Sequence, residues 1–104
     1  MRGYSVFMIQ SFADKASLDI FNGDNTPAAR KALPTNLWGA AADLLDQLNS
    51  ATKPQDMAVP KGNRLKKLKE LELYSVRIND QYRITFKFEG GNALEVEVSK
   101  HYGD

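Results

Sequence analysis

Two kinds of side chain in this sequence suit work on a phosphate: a set of arginines and lysines in the C-terminal part, and a single imidazole. Lys61 to Lys69 (KGNRLKKLK) carries five cations and no acid, and Arg77, Arg83 and Lys87 follow at polar positions of alternating segments. Guanidinium forks match phosphate bidentately, and clustered cations supply the sequence-independent part of nucleic-acid affinity. Arg64, Lys66, Lys67, Arg77, Lys87 and Lys100 are therefore candidate phosphate contacts, with Arg83 beside them. The competing reading is structural. Glu95 and Glu97 share the polar parity, and opposite charges on adjacent strands are ordinary sheet stabilisers, so Glu97 is a candidate partner for Lys87 or Arg83. A lysine-rich run also protects a sheet edge. Both readings stand at this point. His101, the only histidine, is the one side chain whose ordinary pKa suits proton transfer near neutrality. If the last strand continues, it has the parity of Ser99 and joins the polar side, flanked by Lys100 and Tyr102. A solvated chain-end histidine is the alternative.

The elements that must position these groups follow from periodicity. Asp14 is a helix cap for a segment through Phe21, closed by Asn22-Gly23. Asn25-Thr26-Pro27 starts a second helix, which ends at Leu33-Pro34. Thr35 or Asn36 is expected to cap a third, running to about Ala51. Its apolar residues Leu37, Trp38, Ala41, Leu44, Leu45 and Leu48 form one stripe of a 3.6-residue period. Trp38 is thereby assigned to the core, and Asp43 and Asp46, off the stripe, to a solvated face. Residues 55–63 (QDMAVPKGN) read as a loop. From Tyr74 the period becomes two: Tyr74, Val76 and Ile78 inward, then Tyr82, Ile84, Phe86 and Phe88, then Leu94, Val96 and Val98. Asn79-Asp80-Gln81 and Gly90-Gly91 turn the chain between them. Met8–Phe12 and Leu65–Leu68 are possible further strands. The expectation is a single α+β domain over 1–104. Its N-terminal helices pack on one face of a small, mainly antiparallel twisted sheet that ends in a three-strand meander.

Composition narrows the function classes. The chain has 104 residues, 42% hydrophobic and 26% charged, with 14 Lys+Arg against 13 Asp+Glu for a net charge of +1. That balance argues against both a polybasic tail and an acidic disordered chain. With no cysteine, disulfides, thiolate metal sites and thiol catalysis are excluded, and a lone histidine excludes a multi-histidine metal site. No apolar run approaches a membrane span and the first residues lack a secretory core, so a cytoplasmic protein is expected. The charge is uneven: residues 1–60 hold five basic and six acidic residues, residues 61–104 nine and seven.

At this level the residues resemble a family. Gly62-Asn63-Arg64-Leu65, the run Tyr74-Ser75-Val76-Arg77-Ile78-Asn79-Asp80-Gln81-Tyr82-Arg83-Ile84, Gly91-Asn92-Ala93 and Val96-Glu97-Val98 are similar to the HigB toxins of the RelE superfamily. So are Met8 to Lys15, Asp19 to Gly23, Ala29-Arg30-Lys31 and Leu37-Trp38. The resemblance covers about residues 8–102, and Met1 and Met8 are both candidate starts. It implies a RelE-like ribonuclease fold and a bacterial type II toxin: a ribosome-dependent, metal-independent mRNA endonuclease needing no cofactor. The implied partners are a HigA-like helix-turn-helix antitoxin, the ribosome with its mRNA, and operator DNA only through the antitoxin complex.

Carried over residue by residue, the resemblance makes Lys69, Arg83, His101 and Tyr102 the catalytic candidates. Arg77 matches a common motif position, and Lys66 stands where some members have a histidine. Lys100-His101-Tyr102 occupies the place of an Asp-Tyr-His end, with aromatic and imidazole exchanged. Cleavage through the adjacent 2′-OH needs that hydroxyl deprotonated, the phosphorane stabilised and the leaving 5′-oxygen protonated. Arg83 with Arg77 or Lys69 suits the second task, and His101 suits proton transfer, with Tyr102 and Lys69 as partners. One neutral-pH acid/base predicts a poor free ribonuclease, helped when the ribosome orients the message, an effect worth up to ~7–11 kcal/mol. The alternatives are a weakened toxin-like protein that binds ribosome or RNA without cutting, and an antitoxin-bound interaction domain acting in operon autoregulation.

Overall fold

A computed structural model describes residues 8–68, 70 and 72–100. Helix α1 (Lys15–Asn22) begins where the Asp14 carboxylate accepts the Ser17 N–H at 2.9 Å, and it ends on Gly23 in the left-handed region at φ 77°. Helix α2 (Pro27–Ala32) is capped by the Thr26 hydroxyl, which accepts the Ala29 N–H at 3.1 Å, with proline in its first turn. Both starts are those the sequence signalled. Helix α3 (Trp38–Ser50) departs from expectation, because neither Thr35 nor Asn36 caps it. Thr35–Leu37 instead winds as a 3-10 turn that feeds straight into the helix, so those side chains fall inside the turn. The Trp38 indole N–H donates to the Leu33 carbonyl at 2.9 Å and fixes this entry.

The stripe of α3 is buried as its period required: Ala41, Leu45 and Leu48 are wholly covered, with Trp38 and Leu37 packed at the rim. Residues 55–63, expected as a loop, fall largely in two more 3-10 segments, Pro54–Ala58 and Lys61–Asn63. Met57 plugs the core between them. Asn63 locks the segment, its amide donating to the Gln47 side chain and to the carbonyls of Met57 and Val59.

The sheet is a four-strand antiparallel meander in the order β1 (Lys66–Leu68), β2 (Leu73–Arg77), β3 (Tyr82–Glu89), β4 (Asn92–Lys100). Val76, Ile84, Phe86, Val96 and Val98 line one face and merge with buried residues of the three helices into a single apolar cluster. This is the α+β arrangement with helices on one side of the sheet. Tyr74 stacks on Phe86 at 5.7 Å between ring centroids, and Phe88 meets Phe86 edge-on at 6.5 Å. Each fully buried Leu, Ile or Phe side chain contributes about 1.5–3 kcal/mol of burial.

One element of the alternation fails. The β3–β4 register runs Thr85 with Glu97 but Lys87 with Leu94, so a bulge holds an extra β4 residue there. Glu95 absorbs it at φ 52°. Upstream of the bulge the parity reverses: Ala93 is buried, and Leu94, expected inward, shares the face of Lys87.

Residues 8–13 do not form a full strand. They run parallel to the outer edge of β4 through two isolated bridges, Ile9 with Ala93 and Phe12 with Val96. The Gln10 N–H donates to the Ala93 carbonyl at 2.8 Å and the Ala13 N–H to that of Val96 at 2.9 Å. The Ser17 hydroxyl continues the seam by accepting the Val98 N–H at 2.9 Å. This strap covers an edge that would otherwise present unpaired backbone.

Candidate nucleic-acid interface

Residues directly opposed in an antiparallel ladder share a face, so the register fixes which cations can act together. Lys66 opposes Ser75, Ser75 opposes Thr85 and Thr85 opposes Glu97, while Arg77 opposes Arg83 and Arg83 opposes Ser99. Lys66, Arg77, Arg83 and Lys87 therefore belong to the face turned away from the helices. Both arginines sit on strands, which hold a side chain more rigidly than loops do.

The other candidates part from this group. Lys67 opposes Tyr74 and Lys100 opposes Tyr82, on the core parity, because neighbouring residues of a strand point to opposite sides. The Lys67 ammonium lies 5.6 Å from the Tyr74 ring centroid, a cation–π contact. Neither shares the face of Arg77 and Arg83. Arg64 precedes the sheet, ending the 3-10 turn Lys61–Asn63 in a left-handed conformation with its residue exposed. Lys69, His101 and Tyr102 lie outside the described residues.

Within the face the charges are unequally engaged. Arg77 donates to the carboxylate of Asp80, an exposed residue in the following turn. Lys87 pairs with Glu95 at 3.2 Å, both partly exposed, and such a pair contributes only about 0–1 kcal/mol. The expected partner of Lys87 or Arg83 was Glu97. The bulge brings Glu95 to Lys87 instead and leaves Glu97 opposite Thr85. Arg83 has no carboxylate partner among the described ion pairs. Its Nη1 donates to the hydroxyl of Ser75, a wholly buried residue, and its Nε–H is buried without an acceptor. A guanidinium held by a neutral hydroxyl keeps its full charge for an anion.

Ser75 is the site residue that sequence reasoning passed over. Its only signal was a small hydroxyl on the polar parity, two positions before Arg77 and opposite the strand that carries Arg83. Beside the face, Arg77 also lines an open cleft of about 310 Å³ shared with Asp43, Gln47, Gly62 and Asn63. The Gln47 and Asn63 amides are spent there on holding the 54–63 segment. Asp43 and Asp46 are exposed on α3, the solvated face assigned to them. Among the described residues, no three His, Cys, Asp or Glu side chains gather as a metal site. Chemically, the arrangement offers strand-held positive charge on the sheet face turned away from the helices, suited to a phosphodiester and its charge-rich transition state.

The model of the HigB-like toxin family, described as the RelE-like toxin of type II toxin-antitoxin system HigB, matches residues 10–101. A protein of Haemophilus influenzae described as uncharacterized is 32% identical over 71 residues, which span 66% of this chain and 70% of that protein. Toxin HigB-1 of Vibrio cholerae serotype O1 is 29% identical over 96 residues, covering 90% of this chain and 98% of the toxin.

Proposed function

This chain belongs to the HigB-like toxins, the RelE-like toxins of type II toxin–antitoxin systems, and from that membership we propose that it is an endoribonuclease that cuts ribosome-bound mRNA. Membership implies an antitoxin partner. We take that partner to be a HigA-like helix-turn-helix protein, through which alone the toxin meets operator DNA. No helix among the described residues is long and apolar enough to cross a membrane, in keeping with a site of action on cytoplasmic ribosomes.

The observation that carries the reading is Arg83, opposed by Arg77 on the sheet face turned away from the helices and held by a hydroxyl, with no carboxylate partner among the described ion pairs. In the proposed reaction the 2′-oxygen attacks the adjacent phosphorus and the 5′-oxygen leaves, giving a 2′,3′-cyclic phosphate. No metal is invoked. Arg83 and Arg77 stabilise the charge that builds on the non-bridging oxygens. Lys69, His101 and Tyr102 are proposed for the proton transfers, with His101 as the group that titrates near neutrality. Lys66 and Lys87 hold flanking phosphates and fix register. Having the ribosome orient the message compensates for a single neutral-pH acid/base.

The test is primer extension on message translated in the presence of the purified toxin. Discrete new 5′ ends are expected, and Arg83→Ala should reduce their rate of appearance roughly 10²–10³-fold, the usual cost of removing a preorganised charge-stabilising donor. Translation arrest without new ends would replace the nuclease with a toxin that only binds. Equal cutting of naked and ribosome-bound RNA would overturn ribosome dependence.

A further inference from the structure

Arg83 is described by two facts that together say more than its charge. Its Nη1 is engaged by Ser75, and its Nε–H is buried with no acceptor. Capture of Nη1 leaves the other edge of the guanidinium, Nε–H with Nη2–H, as two parallel donors. That is the edge that grips two oxygens of one phosphate. A buried N–H without an acceptor is a standing cost in the free protein; because this one is covered, a ligand oxygen reaches it only as the groups over it move aside, and in doing so removes that cost. Ser75 itself is wholly covered, lies on a central strand, and has Lys66 and Thr85 opposite it on the two neighbouring strands. Its backbone is therefore held by the ladder on both sides, and its hydroxyl is a fixed point for Arg83. A long arginine gives up several rotatable bonds of freedom when it is fixed, and here that freedom is surrendered in folding rather than on binding.

We propose that Ser75 is a positioning residue: by holding Nη1 it presents the Nε/Nη2 edge of Arg83 to the non-bridging oxygens of the scissile phosphate. This rests on the nuclease reading for its substrate, but it concerns a contact that exists whether or not cutting follows. Ser75 touches no reacting atom. Its loss should leave the charge of Arg83 in place and remove only its aim.

Two measurements test this. The first follows the Arg83 Nε–H resonance by NMR while a non-cleavable RNA trinucleotide with 2′-methoxy groups is titrated in. The resonance should move in the native chain and in Ser75→Thr, which keeps the hydroxyl, and stay in place in Ser75→Ala. The second measures single-turnover cleavage of ribosome-bound message. Ser75→Ala should slow the cleavage step roughly ten- to hundredfold, the range for a lost hydrogen bond to a charged group, with half-saturation unchanged. Ser75→Thr should restore the rate to within threefold. Replacing a non-bridging oxygen at the cut site with sulfur should slow the native chain for one diastereomer and have a smaller effect on Ser75→Ala. A purely structural role predicts instead a lowered melting temperature with the sulfur effect intact, which overturns the proposal. An Arg83 resonance that ignores the trinucleotide in the native chain also overturns it. If the resonance responds as expected but no message is cut, the positioning role stands and the nuclease reading falls.

Discussion

Two serines near the N-terminus make the same hydrogen bond in different surroundings. The Ser11 hydroxyl accepts the Glu95 N–H and the Ser17 hydroxyl accepts the Val98 N–H, each at 2.9 Å. Geometry does not separate them, but burial does. Ser17 is 0% exposed and Val98 3%, whereas Ser11 and Glu95 are both exposed. In Ser17→Ala the Val98 N–H is left in the core with no acceptor and no water, a penalty of about 1–3 kcal/mol. Taking the middle of that range at about 4–8 °C per kcal/mol gives a fall in Tm of roughly 8–16 °C. In Ser11→Ala water takes the place of the hydroxyl, and the loss should stay within about 0.5 kcal/mol, as for other exposed substitutions. Thermal unfolding by circular dichroism and urea unfolding at neutral pH measure both. The urea slope should be unchanged, because the surface exposed on unfolding is the same. Equal losses in the two variants would refute the reasoning, since they would show that the bond itself, and not the stranded donor, sets the energy.

Two further outcomes follow from single features. Asp19 accepts from Lys15 at 2.9 Å and from Thr26 at 2.7 Å, and these bonds, the lysine's first, hold its carboxyl below the usual range against the opposing effect of burial. Its folded pKa is thus lower than its unfolded value of about 3.9. The stabilisation is complete above that value and disappears as pH falls through the lower, folded one. The urea midpoint of the native chain should therefore drop more steeply from pH ~5 downward than that of Asp19→Asn, and parallel pH profiles would contradict this. Glu95 sits at φ 52° and, among the described residues, its side chain engages Lys87 in an exposed ion pair. Glu95→Gly should thus raise stability by about 0.5–1 kcal/mol through relief of the left-handed backbone, and a lowered urea midpoint would count against the bulge.

Much of this architecture is legible in one sequence because local chemistry and global fold agree there. Asp14, Thr26-Pro27 and Gly23 mark helix ends by side-chain chemistry that acts within a few residues. The alternation from Tyr74 to Phe88 names the buried face of β2 and β3, and with it the shared face of Arg77 and Arg83. What escapes is whatever depends on an exception to the period. Nothing in Ala93-Leu94-Glu95-Val96 announces a bulge, because glutamate is an unusual residue for a left-handed position, and the reversal of Leu94 with the pairing of Lys87 to Glu95 was therefore hidden. The parallel strap is hidden for a different reason: its partner lies more than 80 residues away. Strand parity also divides a lysine cluster that looks continuous on paper, so Lys66 and Lys67 part company. Ser75 escapes because a serine on the polar parity is ordinary until its burial and its arginine are seen together.

The strap has a consequence for how the molecule comes into being. The bonds that close the edge of β4 join residues separated by 84 and 81 positions. At roughly 5–20 residues per second of synthesis, the early segment waits about 4–17 s for the strand it will pair with. Until then the N–H groups of Gln10 and Ala13 and the carbonyls of Met8 and Ser11 have no counterpart, and the Ser17 hydroxyl lacks the Val98 N–H it accepts. The nascent chain therefore passes through most of its synthesis without a closed sheet and without the face that carries Arg83. Translation broken off before residues 93–98 yields a fragment that lacks the partner strand of both β3 and the strap.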